Sequence, residues 1–167
     1  SALDFNSMYD LVKPSNIFTL SGPIVSITKG PFLSANCFYA SSSNTYNSVG
    51  SYTAPSIKNL GTGDFTFEVW AYINDYNVEA SSAGTMLFSI EPVSGQPSRL
   101  CGFSKSGVLS YDTTYTANDL IVPKRSWCHI AVVRKSGLVT MFLNGRKSST
   151  SLSNTINFTT LVTGLII

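Results

Sequence analysis

The chemistry open to this chain is limited by how few reactive side chains it carries. His129 is the only histidine, and the three cysteines, Cys37, Cys101 and Cys128, are widely spaced with no Cys-x-x-Cys pair. Such spacing is unlike a zinc site or a disulfide framework, so we expect buried free thiols and assembly in a reducing compartment. His129 and Cys128 are adjacent in a strand-like run and therefore point to opposite faces, which is a poor geometry for a Cys/His dyad. We expect His129 to be a hydrogen-bonded, half-buried imidazole.

Composition narrows the function classes further. The 167 residues fit one domain, and 11 Lys+Arg against 9 Asp+Glu leave charged residues at only 12% of the chain. That is about half the usual share, which argues against nucleic acid as a partner. The chain has 26 Ser and 16 Thr, and its aromatic and β-branched content favours strands. The longest apolar stretch, residues 161–167, is far shorter than the ~20 residues of a membrane span, so no span is expected.

Because the composition favours strands, the side chains of any functional site are expected to be positioned by strands and the turns between them. Residues 64–72 alternate with a period of two, and both faces carry apolar side chains because Trp70 and Tyr72 stand on the second face. This pattern predicts a strand in the middle of a sandwich sheet. Turn signals recur at the spacing of about 8–12 residues that is typical of sandwiches and jelly rolls.

Consecutive hairpins are predicted in the second half of the chain. A Lys-Ser-Gly turn separates strands at 100–103 and 108–111, and another separates strands at 127–134 and 138–143. Asn144-Gly145 follows as a two-residue turn, since Asn-Gly suits two central positions that need positive φ. Other expected elements are strands at 17–20, 24–28 and 85–90, and a polar loop at 112–119 that holds Tyr115.

Three segments in a fixed order carry a family resemblance. They are residues 61–72 (GTGDFTFEVWAY), 127–134 (WCHIAVVR) and 139–145 (VTMFLNG). Together they resemble the laminin-G-like, concanavalin A-like lectin/glucanase superfamily. The resemblance implies an all-β fold, a two-sheet antiparallel jelly-roll sandwich. The segment GTGDFTFEVW is also similar to segments of bacteriophage structural proteins, capsid and tail appendages among them.

The resemblance also implies a domain organisation. We expect an N-terminal arm or lead-in over residues 1–33 and a laminin-G-like jelly roll over residues 34–167. Such domains usually continue, after the last hairpin, into a further strand that closes the sheet, and here the sequence stops where that continuation would begin. We therefore expect residues 161–167 to pack against a neighbouring chain, or against residues that stand in for the closing strand, because an open apolar edge favours aggregation.

Catalysis and metal binding are expected to be absent. Glucanases of the superfamily place acidic residues two apart on one strand face, whereas here Thr66 separates Asp64 from Glu68. No enzyme activity and no cofactor are expected, and Glu68 is interpreted as a structural carboxylate. Calcium, which many relatives bind through rim-loop oxygens, is the open alternative. Its candidate ligands are Asn74, Asp75, Asn77, Asp112, Asn118 and Asp119.

Sugar binding in this fold uses rim loops with exposed aromatic rings, which stack on sugar rings while Asn and Asp bind the hydroxyl groups. Two sets of residues fit this description. They are Asn74, Asp75 and Tyr76, and Tyr111, Asp112 and Tyr115. Ordinary tyrosines in β loops produce the same pattern, and this plainer interpretation is the one that we favour.

Two functions from different classes follow from the sequence. The first is a non-enzymatic virion structural or interaction protein, a capsid decoration or tail appendage, whose partners are other virion proteins or copies of itself. The alternative is a carbohydrate-binding adhesin module that recognises host-surface glycans, located outside the cell or on its surface. As a capsid decoration or tail appendage, the protein would instead be located in the virion, which is assembled in the host cytoplasm.

Overall fold

The computed structural model of the chain consists of strands and the turns between them. It describes residues 3–4, 9–10, 18–20, 24–27, 37–40, 50–52, 60–76, 85–92, 99–111, 115–158 and 161–166. No helix occurs in these ranges. In particular, the described residues contain no helix with the length and apolar character needed to cross a membrane. The predicted all-β fold class is confirmed.

Sixteen strands are described. The first half of the chain contributes β1 (Leu3–Asp4), β2 (Tyr9–Asp10), β3 (Phe18–Leu20), β4 (Ile24–Ile27), β5 (Cys37–Ala40), β6 (Gly50–Tyr52) and β7 (Phe65–Tyr72). The second half contributes β8 (Thr85–Pro92), β9 (Arg99–Phe103), β10 (Val108–Tyr111), β11 (Tyr115–Ile121), β12 (Trp127–Lys135), β13 (Leu138–Leu143), β14 (Arg146–Lys147), β15 (Leu152–Ser153) and β16 (Leu161–Ile166).

These strands form two main antiparallel sheets. The seven-stranded sheet has the order β11-β10-β9-β8-β16-β6-β3, and the five-stranded sheet has the order β14-β13-β12-β7, with β15 also paired to β13. Two small sheets, β1-β2 and β4-β5, lie outside them. The strand β16 pairs with both β8 and β6 of the same chain. The strand β3, which falls within the predicted arm, pairs with β6. The boundary between arm and domain stays a prediction.

The core lies between the two main sheets and follows from strand alternation. Along β12 the buried side chains Cys128, Ile130 and Val132 take every second position, because successive side chains point to opposite faces. They pack against inward side chains of the other sheet, such as Phe103 and Leu109. Apolar surface removed from water on both inner faces stabilises the sandwich.

The predicted hairpins are confirmed. β9 pairs with β10, and β12 pairs with β13. In the turn after β13, Asn144 and Gly145 have φ values of 51° and 78°. Both central positions are therefore left-handed, as an Asn-Gly hairpin turn requires. Strands also occupy the predicted places near residues 18–20, 24–27 and 85–92.

One expectation about strands was wrong. Residues 115–121 form the strand β11, paired with β10, and not a polar loop. The polar residues Thr116 and Asn118 point to solvent, while Tyr115 and Ala117 between them are buried, so the loop-like composition belongs to the outer side of a strand. Among the described residues β7 pairs with β12 alone, so its predicted place in the middle of a sheet stays a prediction.

The cysteine side chains that the structure describes are free and buried. Burial raises the pKa of the Cys101 thiol to about 12 and that of the Cys128 thiol to about 11. Both groups remain protonated near neutral pH and are poor nucleophiles, because the thiolate is the reactive form. The side chain of Cys37 lies outside the described residues.

Candidate functional site

Four ring side chains lie together on the solvent side of the five-stranded sheet. Trp70 and Tyr72 project outward from β7 and are 42% and 43% exposed. In the register of β7 and β12, His129 lies opposite Trp70, and Trp127 lies opposite Tyr72. The ring centroids are 5.3 Å apart in the first pair and 5.6 Å apart in the second. We call these four residues the aromatic patch.

Local sequence explains why these rings face outward. The residues between them along the strands, Val69 and Ala71 on β7 and Cys128 on β12, face the core. With a period of two, burying those side chains necessarily directs the ring side chains to the other face. The patch is built on two hydrogen-bonded strands, so its rings are held by a rigid scaffold.

Polar groups border the aromatic patch. The Oε2 atom of Glu68 is 3.4 Å from Nε2 of His129, and the Glu68 side chain is largely exposed. The predicted half-buried position of His129 is confirmed, and its side chain lies between Glu68 and Trp70. The backbone of His129 is also fixed, because its N–H donates to Asn144 Oδ1 and its carbonyl accepts from the Asn144 N–H, both at 2.8 Å.

A buried arginine anchors the turn that leads into β7. The Arg134 side chain is 0% exposed, and its guanidinium donates hydrogen bonds to the carbonyls of Gly61, Gly63 and Ile156 at 2.7–2.9 Å. Burial lowers its pKa, while the nearby Tyr111 and Asp64 act in the opposite direction. The carbonyl acceptors compensate for the loss of hydration that a buried charge suffers. Arg134 therefore fixes the start of the strand that carries Trp70 and Tyr72.

The first predicted sugar-binding set is occupied by contacts within the protein. Asp75 forms an ion pair with Lys124, and this hydrogen bond lowers the pKa of Asp75. The Tyr76 hydroxyl donates to the Val122 carbonyl, and its ring lies 5.9 Å from that of Phe103. Asn74 is exposed. The Tyr76 ring is therefore packed and does not project into solvent as a stacking surface would.

Gly107 shows how closely the Tyr76 ring is packed. This glycine has a φ of 81°, and a Cβ atom placed on it would overlap the Tyr76 ring. Glycine satisfies both requirements, a left-handed backbone and a close approach. The Lys124 ammonium covers the ring from another direction, 4.3 Å from its centroid.

In the second predicted sugar-binding set, the described tyrosine side chains point into the interior of the sandwich. Tyr111 is 0% exposed and accepts a hydrogen bond from Asn154 Nδ2 at 3.2 Å. Tyr115 is 7% exposed, and its hydroxyl contacts the Thr150 carbonyl and Ser148 Oγ. Both rings are therefore unable to stack on a sugar in this conformation. This agrees with the plainer interpretation, in which they are structural tyrosines. Asp112 lies outside the described residues.

The candidate calcium ligands are not brought together among the described residues. Asp75 binds Lys124, whereas Asp119 accepts from the Ser149 N–H at 3.0 Å and lies 3.5 Å from Arg146. Asn77 and Asp112 fall outside the described ranges. Within the part of the chain that the structure describes, no three His, Cys, Asp or Glu side chains are grouped as metal ligands.

The family relationship follows from sequence and fold together. The sequence profile of the concanavalin A-like lectin/glucanases superfamily matches residues 46–165, more than two thirds of the chain. This chain belongs to the concanavalin A-like lectin/glucanases superfamily. The match includes β7, β12 and β13, and with them the whole aromatic patch. The fold is accordingly lectin-like, as the resemblance implied. A comparison with curated protein sequences finds no match.

A solved structure gives an independent view of the fold. Domain 4 of AbnA, a GH43 extracellular arabinanase from Geobacillus stearothermophilus solved in complex with arabinotriose, is similar to this chain with a TM-score of 0.62. The sequences are 15% identical, and the similarity covers 98% of this chain and 79% of that one. At this level of identity, the comparison shows a shared fold.

Sequence reasoning did not select the residues of the aromatic patch as a site. The alternation of residues 64–72 was interpreted as a strand covered on both faces, although the second face also carries Thr66 and Glu68. Aromatic rings that share a strand face with Thr and Glu are a signal of an exposed aromatic surface. His129, two residues after Trp127 on another strand, was the second available signal.

Proposed function

We propose that this protein is a non-catalytic carbohydrate-binding module and that its aromatic patch is the sugar-contacting surface. The observation that carries the proposal is the pair Trp70 and Tyr72, large rings exposed side by side on a rigid strand of a lectin-like fold. Exposed aromatic faces bind the apolar faces of sugar rings, and adjacent polar groups bind the hydroxyls. Glu68 at the border of the patch and His129 within it supply such polar groups.

The arrangement of carboxylates supports binding without hydrolysis. Retaining and inverting glycosidases need two carboxyl groups about 5–9.5 Å apart. Asp64 and Glu68 are separated by four positions along an extended chain, a distance of about 13 Å. Asp64 is also tied to a turn, where its Oδ1 accepts from the Ser136 N–H at 2.7 Å. This pair therefore does not suit either mechanism.

The test is a binding screen with single-site variants. Neutral oligosaccharides, including arabinotriose, gluco-, xylo- and manno-oligosaccharides, and uronic acid oligosaccharides would be immobilised and probed with the 167-residue chain. For any ligand that binds, Trp70→Ala and Tyr72→Ala should each weaken the affinity by about tenfold, which corresponds to ~1.4 kcal/mol. Ile121→Ala is the control, because Ile121 is an exposed side chain on the other sheet.

Two results would overturn the proposal. One is the absence of binding to every oligosaccharide in the screen. The other is binding that persists at full strength when Trp70 and Tyr72 are both replaced. Cleavage of a bound oligosaccharide, abolished by Glu68→Gln, would contradict the non-catalytic part of the proposal alone.

A virion setting is the second proposal, and it concerns location and partners more than chemistry. Its support is the similarity of the segment GTGDFTFEVW to bacteriophage structural proteins. Among the residues that the structure describes, the exposed aliphatic side chains Ile121 and Leu138 lie on different sheets and therefore do not form one apolar surface with each other. Antibodies against the chain should label purified particles if it is a capsid decoration or tail appendage, and unlabelled particles would contradict this setting.

A further inference from the structure

A shallow groove adjoins the aromatic patch on the same face of the sheet. It has a volume of about 410 Å³ and is lined by Val133, Lys135, Ser136, Leu138, Thr140, Phe142, Lys147 and Ser151. Such a volume lies within the range of about 300–1,000 Å³ that small-ligand sites occupy. Its lining includes the apolar side chains of Val133, Leu138 and Phe142 and the hydroxyl groups of Ser136, Thr140 and Ser151, and we call it the lysine groove.

The charge of the lysine groove has one sign. Two of its lining residues are lysines, and none is Asp or Glu. Neither Lys135 nor Lys147 forms an ion pair with any residue that the structure describes, whereas Lys124 and Arg146 do. From strand spacing, the α-carbons of the two lysines are about 16 Å apart. Their long flexible side chains can therefore both reach an anion bound between them.

The groove is continuous with the aromatic patch through strand register. Phe142 of β13 pairs with Lys147 on one side and with Ala131 on the other, and Ala131 pairs in turn with Glu68 of β7. His129 and Trp70 are the next outward pair along the same two strands. An oligosaccharide stacked on the patch and directed along this register would pass over Phe142 to reach the lysine groove.

We propose that the lysine groove binds the carboxylate of a uronic acid residue, so that the ligand of this face is an acidic oligosaccharide. A uronic acid carries its carboxylate directly on the sugar ring, which suits a shallow groove that continues from a stacking surface. The carboxylates nearby are outside the groove: Glu68 contacts His129, and Asp64 is bound to the Ser136 N–H. This inference rests on the proposed function and specifies its ligand.

The test compares matched ligands that differ in charge alone. Oligogalacturonate, oligoglucuronate and oligomannuronate would each be paired with the neutral oligosaccharide made by reducing its carboxyl groups. We expect the charged member to bind about tenfold more tightly. The preference should shrink as salt is raised from about 0.01 M to about 0.5 M, because exposed charges are screened.

Lysine variants test whether the preference for charged over neutral oligosaccharides arises from the lysine groove. Lys135→Ala combined with Lys147→Ala should bring the charged and neutral members to equal affinity while leaving binding of the neutral member unchanged. Lys105→Ala is the control, since Lys105 is an exposed lysine in the turn between β9 and β10. Lys105→Ala should retain the full preference.

The outcomes separate this inference from the proposed function. Binding of neutral oligosaccharides alone, equal binding within each pair, or a preference that survives the double lysine variant would overturn the acidic ligand and leave the carbohydrate-binding proposal standing. Preferential binding of sulfated over carboxylated oligosaccharides would also contradict the uronic acid assignment. A chain that binds no oligosaccharide at all would overturn both.

Discussion

Tyr111 and Tyr115, beside the connection between β10 and β11, are turned into the sandwich, whereas Trp70 and Tyr72 on β7 are turned out of it. The two tyrosines of the first region use their hydroxyls to bind the segment that follows β14, at Asn154 and Thr150 respectively. The second region has exposed rings beside Glu68 and His129 instead. Aromatic content alone therefore does not distinguish a structural ring from a binding one.

The difference between the regions lies in what surrounds each ring. Near a strand end, a tyrosine can bury its ring between the sheets while its hydroxyl reaches a backbone carbonyl, which satisfies both its apolar and its polar part. On the outer side of a strand, no second layer of the described residues covers Trp70 and Tyr72 to the same extent. Substitutions in the first region should therefore affect stability, and substitutions in the second should affect binding.

The largest expected effect is on stability, from Tyr111→Ala. Removing a fully buried ring leaves a cavity, so the free energy of unfolding should fall by about 3–5 kcal/mol. Tyr111→Phe keeps the ring and loses the hydrogen bond from Asn154, and should cost about 1 kcal/mol. Urea unfolding monitored by tryptophan fluorescence measures both. Equal stability of Tyr111→Ala and the wild type would mean that this ring is not a core element.

A smaller effect on stability is expected from Tyr115→Phe. The substitution removes the hydroxyl that contacts the Thr150 carbonyl and Ser148 Oγ, at a cost of about 1 kcal/mol. Affinity for any sugar that the protein binds should stay unchanged. A loss of affinity without a loss of stability would move Tyr115 from the structural region to the binding region.

Trp70→Ala should reduce the free energy of unfolding by clearly less than Tyr111→Ala does, because the Trp70 ring is 42% exposed in the folded state and contacts His129 on the outer face of the sheet. This smaller change is expected alongside the tenfold loss of affinity proposed above. Urea unfolding and sugar binding would be measured on the same preparation. A stability loss as large as that of Tyr111→Ala would show that the ring belongs to the core and would remove the contrast between the regions.

The smallest expected effect is a pH dependence that arises from Asp75. The hydrogen bond from Lys124 lowers the folded-state pKa of Asp75 below its ordinary value. The unfolded chain therefore binds this proton more readily, so the contribution to stability is present above about pH 4 and is lost as the pH falls through the folded-state pKa. Urea midpoints of the wild type and Asp75→Asn should differ at about pH 6 and converge near pH 2. A difference that persists at the acidic end would exclude this ion pair as its cause.

Much of the fold was predictable because it depends on local signals. Asn144-Gly145 specified a hairpin turn through its preference for positive φ, and the alternation in residues 127–134 specified which side chains face the core. The strand β11 was missed for the opposite reason. Its outward residues are polar, and only pairing with β10 and the burial of Tyr115 and Ala117 identify it as a strand.

The site was less predictable than the fold. Tyr76 and Tyr115 lie near polar residues in the sequence, as tyrosines in a sugar-binding loop would. In the structure both side chains are nevertheless packed against the protein. Trp70 and His129 are 59 positions apart and become neighbours only through the register of β7 and β12. A contact of this kind depends on long-range strand pairing, which no local pattern encodes.

By itself, the sequence determined that this chain is an all-β member of a lectin-like superfamily, that its charges are few, and that residues of one strand alternate between two faces. These properties are local, because strand periodicity and turn preferences act over a few residues. Only the tertiary structure decided which aromatic rings remain in contact with solvent and which charges remain unpaired. Exposure and pairing depend on the elements that pack against each face, and the packing of two sheets brings together residues that are distant in the chain.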